Sequence, residues 1–240
     1  MMIKINKLSK TFITSTGPKK ALSDISLEIK KGECVVIGGE NGSGKSVLMS
    51  IISGLDEGDK GSEVEVLGRA GLVFQEAETQ ILGETPQEDI AFGPKNLGFK
   101  KDEIKAAVEK ALEKTGLTQK KDYPSRFLSG GEKRKLAVAC LLAMNLPIII
   151  LDEPFANLDY NGVKQVNALI KELKKDGKTI IICTHEIEKC LGLADRFVVL
   201  YKGHKVYDGS TTDAVKLNLE QWNIKNPLTQ YKNVKDLIWE

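Results

Sequence analysis

One octapeptide constrains this chain more than anything around it. Gly39-Glu40-Asn41-Gly42-Ser43-Gly44-Lys45-Ser46 matches the phosphate-binding pattern GxxxxGKS in full. It follows an unbroken apolar run, Cys34-Val35-Val36-Ile37, and precedes Val47-Leu48-Met49-Ser50-Ile51-Ile52, which reads as a helix. Strand, glycine loop and helix in that order is the context the pattern requires, and a chance glycine turn gives no reason for it. Gly42 and Gly44 let the backbone curl so that successive N–H groups point at phosphate oxygens. The helix dipole adds positive potential at the Ser46 end. Lys45 is placed to reach the β- and γ-phosphates, and the Ser46 hydroxyl to ligate Mg²⁺.

A second run, Ile148-Ile149-Ile150-Leu151, ends in Asp152-Glu153. Acids at the carboxyl end of a buried strand stand where α/β sheets bind ligands. Asp152 is then expected to hold Mg²⁺ through water, and Glu153 to polarise the attacking water as general base. Alone, Asp-Glu before Pro154 is equally an exposed acidic turn. The phosphate loop upstream favours the catalytic reading.

The rest of the chain supplies a frame for these pieces. Residues 2–31 alternate, with Ile3 and Ile5 on one face and Ile25, Leu27 and Ile29 on another, as half-buried antiparallel strands do. Thr14 to Lys20 reads as the loop between them. Residues 101–117 place Ile104, Ala107, Val108, Ala111 and Leu112 at helical spacing, with Gly116 as a stop. Phe197 to Gly209 reads as a hairpin turning at Lys202-Gly203. His204, in that hairpin, reads as an ordinary surface residue.

At 240 residues the chain is long enough for a core without disulfide or metal staples. Its four cysteines, Cys34, Cys140, Cys183 and Cys190, lack CxxC spacing and read as reduced, partly buried thiols. A formal charge of +2, from 35 basic and 33 acidic residues, argues against a nucleic-acid partner. The opening MMIKINKLSK lacks a signal-peptide apolar region, and no apolar run is long enough to cross a bilayer. The expectation is a soluble, cytoplasmic chain whose membrane role would come through a partner.

Leu128-Ser129-Gly130-Gly131-Glu132 resembles the LSGGQ signature of ABC transporter ATP-binding subunits. It lies in the helical block just ahead of the second strand motif, and the similarity runs over nearly the whole chain. The resemblance implies an α/β P-loop fold: a mostly parallel central sheet, an N-terminal antiparallel β subdomain and an inserted helical signature subdomain. Residues 1–210 would form the nucleotide-binding domain, with the helical subdomain at about 86–145, and 211–240 a short helical tail. It implies ATP bound by Phe12, Gly39, Glu40, Asn41, Gly42, Ser43, Gly44, Lys45, Ser46 and Val47, with Phe12 stacking on adenine. Ser46, Gln75 and Asp152 would surround Mg²⁺. Glu153 and His185 would act in hydrolysis, His185 as a switch against the γ-phosphate. Ser129, Gly130, Gly131 and Glu132 would meet the γ-phosphate held by a second subunit, identical or merely similar, and Asn157 and Asp159 would cross that interface. Three departures stand out. Glu132 replaces the commoner Gln, Glu40 stands where Pro is frequent, and Val47 lacks a hydroxyl whose loss costs on the order of 1 kcal/mol.

The stretch Gly71-Leu72-Val73-Phe74-Gln75 to Gln80, then Glu88-Asp89-Ile90-Ala91-Phe92-Gly93-Pro94 and Asn96-Leu97-Gly98, is similar to energy-coupling-factor (ECF) importer ATPases. That similarity implies a transmembrane coupling subunit and a small membrane substrate-binding subunit for a vitamin or transition-metal ion. The alternatives are the ATPase of another ABC transporter, which would carry a different pattern after Gln75, or a soluble non-transport ABC ATPase. The latter typically has two phosphate loops or coiled-coil insertions, and neither occurs here.

Overall fold

The computed structural model describes residues 1–228. In chain order its elements are β1 (Ile3–Thr14), β2 (Gly17–Ile29), β3 (Cys34–Gly38), α1 (Lys45–Ile52), β4 (Glu63–Val66), β5 (Ala70–Val73), α2 (Pro86–Asn96), α3 (Lys101–Thr115), α4 (Gly130–Ala143), β6 (Ile148–Asp152), α5 (Tyr160–Lys175), β7 (Thr179–Thr184), β8 (Arg196–Tyr201), β9 (His204–Gly209) and α6 (Thr211–Ala214).

Alternating and unbroken apolar runs go to different sheets. The alternating strands form an antiparallel sheet of order β2-β1-β4, in which Ile3 faces Ile29, Ile5 faces Leu27 and Leu8 faces Ile25. These side chains are buried against the core below. The unbroken runs form the second sheet, of order β5-β6-β7-β3-β8-β9. Its first five strands are parallel and β9 closes the edge antiparallel to β8. β3, β6 and β7 are buried along their whole length, because helices and the first sheet cover both faces.

Helices α2, α3 and α4 pack on one another around Ile90, Val108, Ala111, Leu112, Leu136 and Ala139, a cluster separate from the sheet cores. The face expected for residues 101–117 is the one used, and Gly116 at φ 69 ends α3 in the left-handed region.

One local expectation changes. The Thr14-to-Lys20 loop shrinks to Ser15-Thr16, because Thr14 pairs with Gly17 and its hydroxyl donates to the Gly17 carbonyl at 2.7 Å. Beyond α6, the described part of the tail has a 3-10 turn at Leu219–Trp222. Asn218 caps that turn through its side chain and Asn223 ends it at φ 56, so helix cannot propagate. Trp222 packs against the main core; Trp239 lies outside the described residues. Among the described residues, no helix is long and apolar enough to cross a membrane. The four cysteines are free thiols, and burial pushes Cys34 up to about 12.

Candidate nucleotide site

The segments that follow the carboxyl ends of β3, β5 and β6 converge on an open cleft of about 600 Å³. Its walls include Phe12, Asn41, Gly42, Gly44, Lys45, Ser46, Val47, Gln75 and Glu153. Thus one cleft gathers residues that the sequence spreads over about 140 positions. β3 delivers the chain into the loop, and Gly42 and Gly44 turn it through φ 81 and φ 104 before α1 begins at Lys45. A Cβ at Gly44 would stand 2.7 Å from the Ala21 carbonyl oxygen, so only glycine fits there.

The Lys45 side chain is only 6% exposed. Its Nζ donates to the carbonyls of Gly39 (2.8 Å) and Glu40 (3.0 Å) and lies 3.9 Å from Glu153 Oε1. The loop thereby holds its own cation at the floor of the cleft. Ser43 is buried with its hydroxyl unpartnered. Val47 is half-buried and packs on the core beneath α1, so its apolar side chain has a structural use.

Asp152 ends β6 beside Ser46. Burial pushes its pKa up, the Ser46 hydroxyl hydrogen bond works the other way, Glu153 adds to the rise and Lys45 opposes it. Its Oδ1 is buried without a hydrogen-bond partner. A buried carboxylate oxygen with no donor, next to an exposed hydroxyl, is chemically suited to a hard divalent cation. The residues present therefore fit Mg²⁺, and Gln75 lines the same cleft.

Glu153 is held with unusual definition. Its φ is 45, a conformation that costs a non-glycine residue about 1–3 kcal/mol unless its surroundings enforce it. Here they do. Its backbone N–H donates to the Cys183 carbonyl at 2.8 Å. Its Oε2 accepts from Thr184 Oγ1 at 2.9 Å, and its Oε1 from the His185 backbone N–H at 3.2 Å. Oε1 also meets His185 Nδ1 at 2.9 Å. An ionised carboxylate only accepts, so Nδ1 carries the proton of that bond and a neutral ring keeps Nε2 as an acceptor. A carboxylate has about four acceptor positions, and these donors leave room for one more, such as a water.

Phe12 stands at the cleft mouth, 39% exposed, with Lys10 Nζ 5.2 Å from its ring centroid. Gln75 follows β5, whose end is fastened by Gln80: its Oε1 accepts from Phe74 N–H and its Nε2 donates to the Leu72 carbonyl, both at 2.9 Å.

The signature residues are not in the cleft. Ser129 caps α4, accepting from Glu132 N–H at 3.3 Å, and Glu132 Oε2 accepts from Ser129 N–H at 2.9 Å. Lys120 donates to the other Glu132 oxygen at 2.6 Å. Burial works to raise the Glu132 pKa, but the bonds from Lys120 and Ser129 outweigh it and hold it low. The glutamate that departs from the family pattern is thus the N3 partner of a capping box. Asn157 sits at φ 58, and Asp159 caps α5 by accepting from Gly162 N–H at 2.7 Å. Neither lines the cleft.

Sequence reasoning passed over several residues. Buried Arg134 on α4 donates to the Gln75 carbonyl at 3.0 Å and the Ala156 carbonyl at 3.2 Å, tying the signature helix to two loops of the core. These elements border an open pocket of about 170 Å³ lined also by Gly130 and Asn157. Arg134→Met should lower stability by about 1–3 kcal/mol, since two carbonyls lose their donor; chemical denaturation measures it. Lys19, Lys20 and Lys202 line the nucleotide cleft and add positive charge suited to a polyphosphate. Thr184, directly ahead of His185, could have been noticed from its position at a strand end.

Comparison with known proteins points the same way. The family model for the ABC transporter matches residues 22–156. An energy-coupling factor transporter ATP-binding protein, EcfA1, of Clostridium novyi is 41% identical over 206 residues, 80% of this chain and 73% of that protein. A putative ABC transporter ATP-binding protein of Pyrococcus furiosus is 37% identical over 221 residues, 87% and 85% of the two chains. Among solved structures, cbiO1 from Clostridium perfringens, part of the ABC transporter complex cbiONQ, superposes with a TM-score of 0.81. It is 31% identical, over 94% of this chain and 96% of that one. The ATP-binding cassette MJ0796, dimeric in a post-hydrolysis state with ADP and Pi, gives 0.78 at 28% identity, over 88% and 99%.

Proposed function

Since the chain belongs to the ABC transporter family and binds and hydrolyses ATP as an ECF-type subunit, we propose that it closes with a second such subunit around two ATP molecules to power import of a vitamin or transition-metal ion. One observation carries the pairing. The cleft holds the phosphate loop, Gln75 and Glu153, while Ser129–Glu132 lies outside it, which supports a signature that acts on the γ-phosphate of another subunit. MJ0796 has been solved as a dimer, which supports this arrangement.

In the proposed mechanism, the loop N–H groups and Lys45 bind the β- and γ-phosphates. Ser46 and Asp152, with Gln75 beside them, would hold Mg²⁺, which would neutralise part of the phosphate charge. Glu153, fixed by Thr184 and His185, accepts the proton of the attacking water at a carboxylate oxygen. His185 would meet a γ-phosphate oxygen through Nε2 only when that nitrogen also carries a proton, since phosphate oxygen accepts; the doubly protonated ring keeps its Nδ1 bond to Glu153. Phe12 offers its exposed ring to adenine.

The transmembrane coupling subunit is proposed to seat in a second groove of about 630 Å³, between the loop after β5 and the helical subdomain. Thr85 Oγ1 and Ser125 Oγ line it unpartnered, and Leu82 and Phe127 are exposed in the adjoining segments. Buried Asp89 shapes one wall by accepting from Leu82 and Gly83 N–H, each at 2.8 Å. A membrane substrate-binding subunit would complete the importer, and the chain would lie at the cytoplasmic face through these partners.

Ser129→Arg tests the pairing. It should leave ATP affinity of the single subunit within about twofold of wild type and cut hydrolysis at least a hundredfold, as loss of a transition-state donor does. Calorimetry and phosphate release measure the two effects. Normal hydrolysis would refute a signature acting across the interface. Co-purification of membrane subunits, followed by identification of the bound small molecule, tests the importer assignment.

A further inference from the structure

The Glu40 side chain is not turned to the phosphate cleft but to the C-terminal segment, where Asn223 Nδ2 donates to its Oε2 at 2.7 Å. Asn223 is well suited to this. Asparagine tolerates the left-handed region, and at φ 56, ψ 33 it ends the turn at Leu219–Trp222 while presenting its amide outward.

The segment that carries it is anchored. Leu219 and Ile224 are buried in the main core, the Ile224 N–H donates to the Leu219 carbonyl at 3.2 Å, and Asn226 Nδ2 closes back on the Val215 carbonyl at 2.8 Å. A second route reaches the same loop. Trp222 packs on Tyr207, and Tyr207 on Phe197, with ring centroids 6.3 and 6.2 Å apart. The Phe197 ring lies directly under Gly38, where an added Cβ would be 2.7 Å from Cε2. Residues 222–223 are therefore linked to the start of the phosphate loop indirectly, through a chain of rings that ends under Gly38, and directly, through a charge-assisted hydrogen bond to Glu40.

Glu40 matters to the site in two ways. Its backbone carbonyl accepts from Lys45 Nζ at 3.0 Å and from Ser43 N–H at 3.2 Å. Its carboxylate is a negative charge next to a cleft whose lysines suit a polyphosphate. We propose that Asn223 is a positioning residue for nucleotide binding: it parks the Glu40 carboxylate on the C-terminal segment, away from the phosphates, and steadies the carbonyls that hold Lys45. This rests on the reading of Gly39–Ser46 as the nucleotide seat. It gives the tail a function in setting ATP affinity.

The full-length chain tests it by calorimetric ATP titration, with thermal melting to verify folding. Asn223→Ala should weaken ATP binding roughly three- to tenfold, the effect of bringing one unit charge closer to a triphosphate at a protein surface. Asn223→Asp, nearly isosteric but repelling Glu40, should weaken it at least as much. In a Glu40→Gln background, Asn223→Ala should have no further effect, and Asn223→Asp should recover affinity because donor and acceptor are exchanged. ATP affinity unchanged in Asn223→Ala and Asn223→Asp would overturn the proposal. So would an equal loss with and without Glu40→Gln, which would mark Asn223 as merely structural. Lys45→Ala serves as the control: if it leaves ATP affinity unchanged, the nucleotide seat itself is misplaced and both readings fall.

Discussion

Glu153→Gln leaves ATP binding in place and lowers turnover about 10²- to 10⁴-fold, the range expected when a positioned general base is lost. The substitution keeps the shape of the side chain, and the amide oxygen can still accept from Thr184 or the His185 N–H. What disappears is the acceptor for the water's proton and the negative charge 3.9 Å from Lys45. The ATP-bound pair should therefore accumulate, because closure no longer ends in hydrolysis. Gel filtration with ATP reads the pair, and single-turnover phosphate release reads the chemistry. Turnover within about tenfold of wild type would exclude Glu153 as the base.

Lys45→Ala acts on binding before chemistry. The ammonium makes charge-assisted contacts worth about 1.5–3 kcal/mol each, so ATP affinity should fall about 10- to 100-fold. The apo subunit should respond as well. The Gly39 carbonyl loses its Lys45 donor, the Glu40 carbonyl keeps only the Ser43 N–H, and Glu153, 6% exposed, loses its nearest cation. Thermal unfolding of the nucleotide-free variant should therefore begin at lower temperature, an effect separable from the affinity loss by melting with and without saturating ATP.

The parts of the site legible in the sequence are those where a local pattern and its chemistry coincide. The glycine loop between β3 and α1, the acids ending β6 and the Ser-Gly-Gly start of α4 each occupy a few consecutive residues. Unbroken apolar runs separated the parallel strands from the alternating antiparallel ones. What stayed hidden is contact across the chain. Arg134 looks like one more cation in a helix until its guanidinium is found on Gln75 and Ala156. Asn223 and Glu40 are 183 positions apart, and a single polar pair leaves no periodic trace. Lys19, Lys20 and Lys202 read as solvated charges because strand pairing, not composition, brings them to one wall. The Ser15-Thr16 turn was obscured by glycine and proline in TSTGPKK, where a threonine hydroxyl lets the ribbon run on.

A helix that caps itself meets an incoming phosphate as a competitor. Glu132 already supplies anionic oxygens to the first turn of α4, and Lys120 compensates that charge. In the proposed pair, a γ-phosphate from the opposite subunit approaches a terminus whose attraction for anions is partly spent. The same carboxylate makes release after hydrolysis easier, since the terminus is not left bare when phosphate departs. Glu132 would in this way trade closing strength for cycling rate, a bias toward repeated strokes over a long-lived clamp.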